Sequence, residues 1–230
     1  MASFLSEFGP DFFALLASAG VIGAYYAFLI RRVRKNPTYT IHGVNEIART
    51  LWVENVMQTA GENVMAVQTL RNFIMASIFM ASTASMLIIG TMTLSGQAEN
   101  IAHSWHLLSN TSSYAAQIWI VKVLFLLVNF IFAFFAFAMS VRLSNHVLFM
   151  INVKEHAANH NLGPQAVARR LVRAGSLYAI GMRSFFFAVP LVFWLFGPVF
   201  LFVASLVLVF ALFHLDRSEA DPHTLPQRLT

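Results

Sequence analysis

The sequence predicts an all-α fold: a polytopic bundle of membrane helices with five spans, plus an amphipathic helix at the cytoplasmic interface. Hydrophobic residues make up 58% of the 230 residues and charged residues only 11%, with a mean hydropathy of +0.67. That composition lies well outside the range of soluble globular domains. Long apolar runs alternate with short polar segments. We therefore expect one transmembrane domain over residues 1–216 and a short polar tail over residues 217–230.

The residue content also excludes several classes of function. The chain has no cysteine, which rules out disulfides, thiolate metal sites and a cysteine nucleophile. The net charge of +5 comes from Lys and Arg beside the apolar runs, without a nucleic-acid motif, so we expect no nucleic-acid partner. The sequence contains no phosphate-cradling glycine loop, GxSxG or HExxH motif. We expect a protein that is not an enzyme and that uses no cofactor.

The first span is predicted over residues 12–30 and fixes the expected orientation. Glu7 and Asp11 precede it, and Pro37 follows and should end the helix because proline lacks an amide donor. The positive-inside rule places the N-terminus outside and the basic loops in the cytoplasm. We expect the plasma membrane, which is the inner membrane if the protein is bacterial. The basic residues that follow the span are Arg31, Arg32, Arg34 and Lys35.

The segment from Thr40 to Met57 has helical spacing but is too polar to cross a membrane. Trp52 would lie at the depth of the lipid headgroups. The segment therefore fits a helix lying in the cytoplasmic interface. Its apolar positions are Ile41, Val44, Ile47, Ala48, Leu51 and Val56, and its polar face carries His42, Asn45, Glu46 and Arg49.

The second and third spans are predicted over residues 73–94 and from residue 118 to 139. The loop between them contains no Lys or Arg, which marks it as external. The third helix should continue for several turns into the cytoplasm, because helical spacing persists without Gly or Pro. Small residues form a stripe along the second span and predict close packing on a neighbouring helix. They are Ser77, Ala81, Ala84 and Ser85.

The apolar stretch over residues 176–215 is too long for one span at about 1.5 Å per residue. We expect two spans, over residues 176–196 and 199–215, joined by a tight external turn at Gly197 and Pro198. The alternative is a four-span protein whose last helix is long and kinked at Pro190 and Pro198.

Four blocks in the same order resemble a family of membrane proteins catalogued as domain of unknown function five-nine-nine. The blocks are "NPTYTIHGVNEIARTLWVENVM", "AVQTLRNFIMAS", "SVRLSNHVLFMIN" and "GMRSFFFAVPLVFWLFGPVFLF". The resemblance covers roughly residues 20–216. It implies a multi-pass membrane protein of one domain and assigns no activity or catalytic residue.

Polar residues gather at one predicted level, the cytoplasmic side of the bundle. Ionisable groups at membrane depth tend to face partners or water. Glu46 and Glu54 would be the acidic partners of the arginines. Three interpretations remain open: fixing topology and packing, forming a vestibule for an anion or lipid headgroup, and docking another protein. The cluster comprises Glu46, Arg49, Glu54, Gln68, Arg71, Asn72, Arg142, Asn145, His146 and Arg183.

Some polar residues fall outside this cluster. Asn129 lies in the middle of the third span, where an interhelical hydrogen bond is favoured over a pore-lining role. Lys122 lies near the external end, where it can snorkel to the surface as an anchor. His156 and His160 are weak metal candidates, as are His103 and His106, because neither pair has a defined third ligand.

Two functions from different classes fit this sequence. The first is an oligomeric channel or transporter with a basic polar vestibule at the cytoplasmic side. The alternative is a non-catalytic accessory or scaffold subunit of a larger membrane complex. The expected partners are the lipid bilayer and either further copies of the chain or other membrane subunits. Arg71, Arg142 and Arg183 lining a vestibule would favour transport, whereas their saturation by Glu46 and Glu54 would favour the scaffold.

Overall fold

The computed structural model describes residues 2–59, 61, 63–96, 115–153 and 162–217, and these residues form helices without any strand. Five of the helices are long and apolar enough to cross a membrane, which confirms the predicted multi-pass, five-span architecture. A short 3-10 turn over Pro37–Tyr39 follows the first helix. The helices are α1 (Ala2–Lys35), α2 (Ile41–Gln58), α3 (Asn63–Gly96), α4 (Ala115–Met150), α5 (Pro164–Trp194) and α6 (Pro198–Asp216).

The spans contact one another in the order α3, α4, α5, α6, α1, and α2 packs on α5. Helix α3 therefore forms one edge of the bundle, with α4 as its principal neighbour. Helix α1 packs along α6 and also touches α5, where the Tyr26 and Phe187 rings lie 6.2 Å apart. The central position of α5 makes it the helix on which both α2 and the membrane bundle are assembled.

Alternating helix directions create two distinct ends. At one end, here called the basic end, α1 terminates in "RRVRK" and α5 begins with "PQAVARRLVR". A buried core at this end joins α2, the start of α3, the end of α4 and the start of α5. At the opposite end, here called the far end, Trp119 and Val123 of α4 pack with Leu94 of α3 and Leu195 after α5. The core at the basic end thus fixes α2 against the spans.

The turn between α5 and α6 decides between two spans and one kinked helix. Helix α5 ends at Trp194 and α6 begins at Pro198, which confirms the two-span prediction. Gly197 has a φ of 146°, a conformation that residues with a Cβ rarely adopt. Pro190 remains inside α5. Helix α5 begins at Pro164, earlier than predicted, because its first turns are also helical in pattern and proline is favoured at the first helical position.

The small-residue stripe of α3 lies against α4, as predicted. Ser77 and Ala84 are completely buried, and Ala84 packs with Ala133 and Phe137 of α4. The absence of bulky side chains on α3 lets the two backbones approach each other. Helix α4 continues to Met150, beyond the predicted apolar span, and a turn follows at residues 151–152.

The predicted helix after α1 is present as α2. The Thr40 hydroxyl accepts a hydrogen bond from the Gly43 amide at 3.2 Å and caps the first turn. Val53 and Val56 are buried in the core at the basic end. The chain approaches itself closely at Gly43, where a Cβ would overlap the Pro37 carbonyl oxygen. These contacts hold α2 at a fixed position on α5.

Candidate functional site

A groove of about 830 Å³, lined by both apolar and charged side chains, lies between α2 and α5 at the basic end. This volume falls within the range of small-molecule sites, about 300–1,000 Å³. We call it the α2–α5 groove. It is lined from α2 by Glu46, Ile47, Thr50, Leu51 and Glu54, and from α5 by Gln165, Ala168, Arg169, Val172, Arg173 and Ser176.

The two helices run antiparallel along the groove. Glu46, near the start of α2, lies next to Ser176, whereas Val53 and Val56 pack with the first turns of α5. Glu54 is therefore at the level of Gln165 and Arg169, and Glu46 is about two turns deeper along α5. The groove has a shallow end at Glu54 and a deep end at Ser176.

Three polar side chains meet at the deep end. His42 Nε2 lies 3.2 Å from Glu46 Oε1, and Ser176 Oγ lies 3.5 Å from the same His42 nitrogen. In a serine hydrolase the serine and the carboxylate contact different nitrogens of the histidine ring. Here both contact Nε2, and the Ser176 hydroxyl donates to the Val172 carbonyl at 3.1 Å. This arrangement positions side chains but does not form a proton relay for nucleophilic attack.

Opposite charges line the two walls of the groove and form no ion pair with any described residue. Within the described part of the chain, the ion pairs are Lys122–Asp11 and Arg183–Asp216, and the Glu46 carboxylate contacts the His42 ring. Arg169 and Arg173 of α5 and Glu54 of α2 are absent from this set although all three line the groove. A ligand that carries both a cation and an anion could bind both walls through charge-assisted hydrogen bonds.

Arg49 lies beside the groove, in the contact between α2 and α5. Its guanidinium lies against Gly175, where a Cβ would overlap it. Its buried Nη1 atom has no hydrogen-bond partner among the described atoms. Burial lowers the pKa of the Arg49 guanidinium from its ordinary value, and the Glu46 carboxylate opposes that shift. Arg49 is therefore a cation held in the helix contact rather than in the groove.

Comparison with known proteins confirms the resemblance noted in the sequence. A protein family described as "Protein of unknown function, DUF599" matches residues 13–220. The chain belongs to the DUF599 family. No curated protein and no solved structure matches the chain significantly.

Much of the predicted polar cluster lies outside the α2–α5 groove in this DUF599 protein. Six of its members are at the basic end but exposed, on faces of α3 and α4 turned away from the helix contacts, so they do not line the groove. These residues are exposed because the positions next to them, Leu70, Ser144 and Val147, occupy the buried faces of the two helices. A residue one position along is rotated by about 100°. The exposed members are Gln68, Arg71, Asn72, Arg142, Asn145 and His146.

The expected partners of Arg183 were wrong. Its guanidinium lies 3.2 Å from Asp216 at the end of α6, not near Glu46 or Glu54. The Tyr25 hydroxyl of α1 donates to the other Asp216 oxygen at 2.8 Å. The reason is that Arg183 faces α1 and α6, whereas α2 covers a different side of α5. Asp216 thus links three helices, and the sequence alone gave no sign of this role.

Lys122 also differs from the expectation that it snorkels. It is only 7% exposed, and its ammonium lies 2.8 Å from Asp11 of α1. The same Asp11 oxygen accepts a hydrogen bond from Trp194 Nε1 at 2.7 Å. Burial with a carboxylate and a tryptophan ring replaces contact with water. We call these three residues the far-end cluster.

The remaining predicted sites have different outcomes. Asn129 Nδ2 donates to the Ser184 carbonyl of α5 at 2.9 Å, the interhelical hydrogen bond that was predicted. His156, His160, His103 and His106 lie outside the described residues. Within the described ranges, no three His, Cys, Asp or Glu side chains come together as a metal site would require.

Proposed function

We propose that this DUF599 protein is a non-catalytic membrane transport protein that loads a small charged ligand at the cytoplasmic surface through the α2–α5 groove. The observation that carries the proposal is a set of three charges that line the groove and form no ion pair among the described residues: Glu54 on one wall, Arg169 and Arg173 on the other. Surface charges of opposite sign gain little by pairing in water. A ligand that fills the groove would remove water and strengthen each contact.

A carrier mechanism fits better than a static pore. Toward the far end, α4 and α5 meet through the aromatic rings of Phe130, Phe137 and Phe185, with ring centroids 5.4 and 6.3 Å apart. Phe130 and Phe137 are at most 5% exposed. An ion crossing this layer would lose its hydration without a replacement partner. Movement of a ligand would therefore require helix rearrangement or a path shared between copies of the chain.

The proposed orientation places the basic end in the cytoplasm, and the absence of native cysteine makes it directly testable. Single cysteines at Ser95→Cys and Asn36→Cys would be probed in intact cells with a membrane-impermeant thiol reagent. We expect labelling of the first variant from outside and of the second only after permeabilisation. The reverse pattern would place the groove outside the cell.

Transport is tested with purified protein in liposomes loaded with a panel of labelled phosphate, amine and zwitterionic solutes. We expect at least one solute to exchange faster than in protein-free liposomes, and Glu54→Gln and Arg173→Gln to remove that excess. Arg142→Gln is the matched control because Arg142 is exposed at the same end but outside the groove. Exchange that all three variants retain would overturn the proposal, as would a complete lack of exchange.

A second candidate, an accessory subunit, is favoured by the edge position of α3. Beyond its contact with α4, α3 exposes large flexible side chains, including Met65, Met75, Phe79 and Met86. Methionine-rich faces adapt to varied partners. The mass of the protein extracted intact in nanodiscs separates the candidates. A homo-oligomer supports a self-made pathway, and co-purification with other subunits in fixed ratio supports the accessory role.

A further inference from the structure

We infer that the α2–α5 groove recognises a phosphoethanolamine group, in which a phosphate and a primary ammonium are joined by two carbons. The inference rests on the proposed function, because it names the ligand class for the same groove. Such a group occurs on a phospholipid and as a soluble molecule, and the chemistry that binds it is the same in both cases.

The two glutamates differ in whether their carboxylates already have contacts, and this difference identifies the ammonium site. Glu46 is already engaged, at 3.2 Å from His42 and 3.4 Å from Ser176 Oγ. Glu54 lines the same groove but belongs to none of the ion pairs of the described residues. Its carboxylate is therefore the one available to accept hydrogen bonds from an ammonium.

The order of charges along the groove matches a phospholipid headgroup. Glu54 lies at the shallow end, level with Gln165 and Arg169, and Arg173 lies one turn deeper along α5. In such a lipid the phosphate is attached to the glycerol and the ammonium lies farther from the membrane. Arg173 would thus meet the phosphate, and Glu54 would meet the ammonium.

The lining also distinguishes a primary from a quaternary ammonium. Quaternary ammonium groups are recognised by aromatic cages. The described residues that line the groove carry aliphatic, hydroxyl, amide and charged side chains, and none of them is aromatic. A primary ammonium has three N–H donors for Glu54 and its neighbour Thr50, whereas a trimethylated one has none.

The test is lipid retention by the full-length protein, measured by native mass spectrometry. Purified protein would be mixed with equal amounts of phosphatidylethanolamine, phosphatidylcholine and phosphatidylglycerol. We expect phosphatidylethanolamine to be retained in preference, with affinity reduced about tenfold or more in Glu54→Gln and in Arg173→Gln, since each loses a charged hydrogen bond. Arg142→Gln should bind as the unmodified protein does. Thermal unfolding in the same detergent confirms that each variant is folded.

Each outcome of this experiment tests the ligand assignment, the source of the ligand or the proposed function. Equal retention of the choline lipid, or unchanged retention in both groove variants, overturns the inference. Competition by free phosphoethanolamine shows that the headgroup suffices, and binding of the free molecule without the lipid assigns the soluble source. Selective lipid binding without transport would leave the ligand assignment standing and refute the proposed function. Transport of another solute without phosphoethanolamine binding would refute the ligand assignment and leave the proposed function standing.

Discussion

The Asp11 carboxylate of α1 lies 2.8 Å from the Lys122 ammonium of α4, and both side chains are at most 15% exposed. Removing one member of a buried pair leaves an uncompensated charge. We therefore expect Lys122→Met to lower the free energy of unfolding by about 3–5 kcal/mol. The corresponding decrease in Tm is roughly 6–20 °C for a chain of this size, measured by thermal unfolding in a fixed detergent.

The control is the double variant Asp11→Asn with Lys122→Met, which removes both charges and keeps an oxygen acceptor for Trp194 Nε1. Because it leaves no buried charge, it should recover most of the lost stability. If the single variant unfolds at the same temperature as the unmodified protein, the pair is exposed to water rather than buried.

Gly181→Ala should destabilise the contact between α4 and α5. A Cβ at this position would lie 2.7 Å from the Phe137 ring, and Phe137 is completely buried. Overpacking of this kind costs about 1–3 kcal/mol, or roughly 2–12 °C in Tm. Combining it with Phe137→Leu should restore part of the loss by making space. Gly90→Ala is the matched control, since open space surrounds Gly90 on α3.

Asn129→Leu tests the hydrogen bond to the Ser184 carbonyl. Interhelical hydrogen bonds in membrane proteins contribute about 0.6–2 kcal/mol. We expect a decrease in Tm of roughly 1–8 °C, with no effect on lipid selectivity, because Asn129 lies outside the α2–α5 groove. A loss of transport with unchanged Tm would instead assign Asn129 to the transport path.

Arg49→Met should leave stability unchanged or raise it. The substitution removes a cation whose charged form is penalised by burial and whose Nη1 has no partner among the described atoms. Methionine keeps a long apolar stem against Gly175. Thermal unfolding checks the prediction, with Arg71→Met on an exposed face as the control. A decrease of more than about 5 °C, or roughly 1–3 kcal/mol, would mean that Arg49 has a stabilising partner.

Hydropathy and turn residues were sufficient to predict the spans, because membrane insertion requires about 20 apolar residues and regular helices. Gly197 and Pro198 correctly separated α5 from α6. The rotation of each helix about its own axis could not be predicted in the same way. Periodicity gives angles within a helix, but only on α3 did the sequence mark a contact face, through its stripe of small residues. Arg71 was predicted to belong to the polar cluster; it is exposed, and the neighbouring Leu70 is buried.

Long-range pairs were the second limit. Arg183 finds Asp216 and Lys122 finds Asp11 through the arrangement of separate helices, not through local spacing. The α2–α5 groove also results from the arrangement of separate helices. Glu46 and Glu54 were predicted to face arginines, but Arg169 and Arg173 became their neighbours only because α2 packs on α5. Gly175 enables that approach, and a glycine in a helix is too common to have predicted it.

The hydrogen bond between Tyr25 and Asp216 spans 191 residues and joins the first helix to the last. At 5–20 residues per second, the ribosome needs about 10–40 s to make the chain between them. During that time α1 is in the bilayer without its principal neighbour, α6. Helix α1 is thus assembled with α6 only long after its own synthesis. Truncation before Pro198 would leave α1 with only its contact to α5 and expose it to membrane quality control.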